Sequence, residues 1–223
     1  MSLKAIFPLS ILGLTLAGCL SCFLGDSRNL HQRADQWNAG QGNFYPEFLR
    51  ETEHLDFRHP IFTTVLGRVT SDNMPIGQIL EDLFYHVRDR IPFDPSASGQ
   101  KASDYLIQNK AICYHKAMIY VCFCRLLKIP ARVAEERFVV RENPQYPGPN
   151  DHGIANIFFN DRWLYLDTVS NREAWRWWVT KGAESFEPPK FTLERNVIPD
   201  AVFISSITFI DFDTKDVSRH WLD

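Results

Sequence analysis

Cysteine is scarce: five in 223 residues, an odd number, so a dense disulfide scaffold is excluded. Cys122 and Cys124 lie two apart in a helix-like run, so they point to different faces and cannot bridge each other. Their expected fate is that of small buried hydrophobes. The seven histidines are not spaced with the cysteines as zinc ligands, and acid-dense loops that would hold calcium are missing, so no metal or cofactor is expected. Lys and Arg are not clustered and the net charge is only −3, which speaks against a nucleic-acid partner. No internal repeat marks a second unit. What the chain does have is 45% hydrophobic residues, a globular value, and six Trp of which five follow residue 160. These are expected in core and surface packing, with an aromatic-walled groove as a further option.

One apolar run stands apart from the rest. Ala5 to Leu24 follows the single basic residue Lys4, contains Pro8, Gly13 and Gly18, and ends before Asp26. That order describes a secretory signal peptide, with an uncleaved membrane anchor as the alternative. Leu16-Ala17-Gly18-Cys19 resembles the bacterial lipobox, in which small residues admit the peptidase and the cysteine thiol accepts a diacylglyceryl group. The expected organisation is a signal peptide over 1–18, a lipid-bearing Cys19 with a tether over 19–47, and one catalytic domain over 48–223. The resulting location is the bacterial cell envelope, on the periplasmic or extracellular side of a membrane.

Beyond about Phe48 the periodicities become informative. Ile76, Ile79, Leu80, Leu83, Phe84 and Val87 recur at helical spacing, predicting a helix over Pro75 to Arg90 that stops before Ile91-Pro92. A loop follows from Asp94 to Ser103, then a short helical piece from Asp104 to Gln108. Ile112 to Leu127 is apolar nearly all round, the mark of a helix buried at the centre of a domain. Strand-like runs come next: Ala131 to Arg141, then Gly153 to Phe159 and Arg162 to Asp167 flanking Asn160-Asp161 as a hairpin, and Val202 to Phe212 as one long strand or a pair. Helices first and an antiparallel sheet after them is an α+β order.

Three residues in this frame can carry chemistry. Cys113 opens the central helix, where free N–H groups and the positive dipole end stabilise a thiolate. His152 stands where the turn-rich stretch Glu142 to Asp151 enters the hairpin. If Asn160 and Asp161 are the two turn residues, 159 pairs with 162, position 152 falls opposite 169, and Asp167 becomes its diagonal neighbour on the same face. A one-residue slip would move Asp167 to the other face. Thiol, imidazole and carboxylate are what nucleophilic acyl transfer asks for: attack on a carbonyl, proton shuttling, and control of the imidazole tautomer. The tetrahedral oxyanion needs donors, with the Cys113 backbone N–H as one candidate and Gln108 or Asn109 as a side-chain candidate. His115 and Lys116 rank below these, as a structural or exposed ring and a solvated cation. Asn171 is a second choice to Asp167 as the orienting group.

Three spaced blocks resemble the transglutaminase-like superfamily: Tyr85 to Phe93 (YHVRDRIPF), Cys113 to Arg132 (CYHKAMIYVCFCRLLKIPAR) and His152 to Asp167 (HGIANIFFNDRWLYLD). The resemblance covers roughly 48–170. It implies a papain-related α+β fold, an antiparallel sheet packed on a central helix that starts at the nucleophile, and a Cys113–His152–Asp167 triad acting on a protein or peptide amide through a thioester. Hydrolysis is the expected end of that reaction rather than cross-linking. A catalytically silent, membrane-tethered peptide-binding module is the alternative, and acyl transfer to a small amine a third reading. Three positions depart from the family pattern: Ala111 where Gly is common, Ile154 where an aromatic is common, and Asn156 where an acid is frequent.

Overall fold

The computed structural model describes residues 45–71, 73–140, 150–178, 186–199 and 202–210. The expected signal peptide, Cys19, the expected tether up to residue 44, and most of the Glu142 to Asp151 stretch therefore lie outside the described residues. Helix α1 spans Pro60–Val69, α2 Ile76–Tyr85, α3 Ala102–Gln108 and α4 Cys113–Leu126. Strands β1 (Ala131–Val140), β2 (Asn150–Phe159) and β3 (Arg162–Leu166) follow, then α5 (Arg172–Trp178) and β4 (Val202–Ile210). The strands form one antiparallel sheet in the order β3-β2-β1-β4.

The α2 pattern continues for one wider turn, His86–Arg90, and then stops at Ile91 because Pro92 follows. Sequence periodicity missed α1, although Pro60 at its first turn is a start signal and Phe62, Val65 and Leu66 form its buried stripe. It also missed α5, whose start is capped by Asn171: the Asn171 side-chain oxygen accepts from the Ala174 N–H at 2.9 Å.

Every residue of α4 is buried, as its all-round apolar character requires. Phe62 of α1 meets Phe123 edge to face at 5.2 Å, and Tyr120 donates to the Leu80 carbonyl of α2 at 3.1 Å. On the sheet side, Ala155, Ile157, Leu164 and Leu166 join the same core as α4. Cys122 and Cys124 are fully buried free thiols within it, and burial pushes both pKa values up. The helix ends where Arg125 donates to the Ala131 carbonyl at 2.9 Å, tying the Ile129-Pro130 turn to the start of β1.

The hairpin register is the expected one. Phe159 pairs with Arg162, and the pairing runs back to Ala155 with Leu166. Asn160 and Asp161 both take positive φ, 49° and 61°, the left-handed pair that matches a two-residue turn to strand twist. Val202–Ile210 is a single strand against β1.

Candidate active site

The site is assembled where the start of α4 meets β2. Gly153 makes that meeting possible: a Cβ built there would lie 2.7 Å from the Cα and 2.8 Å from the backbone N of Tyr114. No side chain fits that gap, so the glycine after His152 lets the helix start lie against the strand. The residues just before the helix are held too. Ala111 is fully buried and forms a bridge with Phe93, its N–H donating to Pro92 at 3.1 Å and its carbonyl accepting from Asp94 at 3.2 Å. Alanine serves here because this backbone is extended pairing, with no positive φ to favour glycine.

His152 and Asp167 are each 1% exposed, and His152 Nε2 lies 3.0 Å from Asp167 Oδ1. The same carboxylate oxygen accepts from the backbone N–H groups of Val169 at 2.9 Å and Ser170 at 3.1 Å. Three donors thus fix it in one orientation. Burial by itself would raise the Asp167 pKa; the His152 charge and the Ser170 hydrogen bonds overcome this and hold it below the ordinary carboxylate value. For His152, burial would lower the pKa, and the Asp167 carboxylate, with a smaller contribution from Cys113, holds it well above the ordinary imidazole value. Because Nε2 is committed to Asp167, Nδ1 is the ring nitrogen that can serve the thiol. The structure therefore brings all three predicted residues together, and the assumed register is what places Asp167.

A fourth group was not anticipated. Glu136 on β1 pairs directly with His152 across the sheet and is 1% exposed. A ring nitrogen of His152 and carboxylate oxygens of Glu136 and Asp167 all lie within 4.8 Å of one another. Burial raises the Glu136 pKa to about 7, against the lowering effect of His152. Its sequence signal was faint. Glu135 and Glu136 are adjacent, so strand alternation puts one of them on the His152 face. Which one depends on a β1–β2 register set by the intervening loop.

The lesser candidates sort differently. His115 is buried and stacked on Tyr105 at 3.6 Å, its pKa lowered to about 4 by burial, so it is a structural ring. Lys116 corrects the expectation of a solvated side chain: it is fully buried and donates to the Arg88 carbonyl at 2.9 Å, with its pKa lowered by burial to about 8. Asn171 caps α5 and donates to the Arg88 carbonyl at 2.8 Å, which removes it as an orienting group for His152. Gln108, expected as an oxyanion donor, is exposed and hydrogen-bonded to the Ser98 backbone; Asn109 is an exposed residue closing α3 at φ 53°. Asn156 accepts from Arg132 at 2.8 Å and donates to the Leu164 carbonyl at 3.1 Å, bracing the hairpin to β1. The Arg132 guanidinium also lies 4.3 Å over the Trp163 ring. An acid at 156 would serve that arginine equally, so this departure concerns support of the sheet.

An α+β fold of papain-like and transglutaminase-like kind, with a thiol beside a buried imidazole–carboxylate pair, is the class that these observations define. Residues 63–168 match the model of the transglutaminase-like superfamily. Among solved structures, a candidate cysteine protease from Cytophaga hutchinsonii is similar at 15% identity and a TM-score of 0.46, covering 57% of this chain. This chain spans 42% of that protein's length. Comparison with curated proteins finds no match.

Proposed function

We propose that the protein is a thiol acyl-transfer enzyme in which Cys113 is the nucleophile, His152 the general base and acid, and Asp167 the group that orients and charges the imidazole. The observation that carries this reading is the buried His152–Asp167 bond at 3.0 Å, on a ring that also interacts electrostatically with Cys113. A raised imidazole pKa means that the ring readily holds the thiol proton as imidazolium, the partner a thiolate needs.

The steps follow from those groups. The Cys113 thiolate adds to an amide carbonyl, and the oxyanion takes the backbone N–H of Cys113, which as the first residue of α4 makes no intrahelical bond. His152 then protonates the leaving amine through Nδ1, leaving a thioester on Cys113. Water, deprotonated by the same nitrogen, releases the acid and restores the thiol. Substrates of this chemistry are protein or peptide amides.

Hydrolysis is favoured over amine transfer because transfer needs a second groove in which an amine is positioned and water is excluded. Among the described residues, the elements are the helices and the one four-stranded sheet of the core, with no added domain to build one. The enzyme would work from the cell envelope, tethered through lipid on Cys19. The test is to supply a glutamine- or peptide-amide donor with a labelled primary amine, and to compare acid release with amine incorporation. Dominant acid release supports the reading; dominant incorporation at modest amine concentration overturns it in favour of a cross-linking enzyme.

A further inference from the structure

Glu136 is not used by the mechanism above, and its placement is unusual. It sits directly opposite His152 in the β1–β2 pairing and opposite Ile207 in the β1–β4 pairing. Ala134 and Phe138 flank it on the same face of β1, with the Phe138 ring edge-on to His152 at 5.7 Å. A carboxyl group 1% exposed in such surroundings is costly unless a cation compensates it. Its Oε2 makes no hydrogen bond among the described residues.

We propose that Glu136 is a positioning residue for the imidazolium of His152, a second carboxylate that, with Asp167, brackets the ring and holds its proton at neutral and alkaline pH. This rests on the triad reading and deepens it. The charged groups around Glu136 can be named by element: His152 on β2, with Asp167 just after β3 on the same face. Residues 202–210 of β4 hold no titratable side chain, and on β1 the charged neighbours Glu135 and Arg137 alternate to the other face. On α4, Cys113 interacts electrostatically with the same ring. At acid pH Glu136 is protonated and neutral, since burial sets its pKa at about 7. The extra charge therefore exists only at neutral pH and above, where His152 would otherwise begin to lose its proton.

The experiment reads the imidazolium through Cys113. Iodoacetate, an anion, is drawn to a thiolate beside a positive ring, whereas neutral iodoacetamide is not. Each rate is followed at the Cys113 peptide by mass spectrometry from pH 5 to pH 10, in the wild type and Glu136→Gln. The expected result is that the iodoacetate preference persists to a pH roughly one unit higher in the wild type, and that the two proteins agree at pH 5. Glu136→Asp, which keeps the carboxylate, should move the profile back toward the wild type. Should Glu136→Gln fail to fold, Glu136→Met supplies a neutral side chain of matching length. A folded neutral variant with the wild-type profile at every pH overturns the role of Glu136 while leaving the triad intact. If Cys113 of the wild type alkylates no faster than Cys122 or Cys124, the triad reading itself fails.

Discussion

At the residue scale, three cysteines in one helix offer a controlled comparison. Cys122 and Cys124 are fully buried thiols with raised pKa values, whereas Cys113 opens the helix beside an imidazole. Cys113→Ala should therefore abolish turnover of a responsive substrate, on the order of 10⁶ for a nucleophile that acts as a unit with its base. Cys122→Ala and Cys124→Ala should retain turnover and lower the melting temperature. Asp167→Asn should fold and be slowed by about 10⁴, because an amide can hold the imidazole in the wrong tautomer and cannot stabilise its positive form. Wild-type turnover in either Cys113→Ala or Asp167→Asn would contradict these roles. His115 gives a pH prediction of its own. Its folded pKa of about 4 lies below the unfolded value near 6.5, so the unfolded chain binds the extra proton. Stability from this group is complete above pH 6.5 and falls as the pH drops toward 4, by about 3 kcal/mol in all. Denaturant melts of wild type and His115→Gln between pH 7 and pH 4 should show the steeper loss in the wild type.

Elements decide whether those residues meet. Gly153 is the sharpest case, since a Cβ there would fall 2.7 Å from the backbone of Tyr114. Gly153→Ala should cost about 1–3 kcal/mol by overpacking and slow Cys113 alkylation by pushing the helix start away from His152. An unchanged melt with unchanged alkylation would show that the contact yields freely. The hairpin was readable from sequence because Asn160-Asp161 fixes a two-residue turn, and that turn fixes which residue faces His152. Cys113 was readable because α4 is apolar on every side and begins at it. Other features depended on contacts distant in sequence. Lys116 looks like a surface cation among apolar neighbours, yet the Arg88 carbonyl, twenty-eight residues earlier, takes its ammonium into the core. Glu136 needed the register of β1 against β2, which the intervening loop sets and no local pattern states. In α1 the helical stripe was present; Pro60 ahead of it marks a start that periodicity alone does not emphasise.

For the molecule as a whole, the described residues form one α+β core over a transglutaminase-like segment, and no helix among them is long and apolar enough to cross a membrane. The proposal of membrane attachment rests on the Leu16-Ala17-Gly18-Cys19 sequence motif, outside the described residues. Native protein should begin at Cys19, carry lipid and partition with membranes, since several acyl chains anchor stably where one does not. A form starting after Cys22 should stay in the aqueous phase. Intact mass of the native protein settles this: a chain beginning at Met1 with unmodified Cys19 would contradict it.

The central claim is that His152, held by Asp167, activates Cys113. Its most direct measurement is the alkylation rate of Cys113 by iodoacetamide at pH 6, in the wild type and in His152→Ala, with Cys122 and Cys124 as internal references. The account predicts that wild-type Cys113 reacts far faster than both references and that His152→Ala removes most of this advantage. Equal Cys113 rates in the two folded proteins would contradict it.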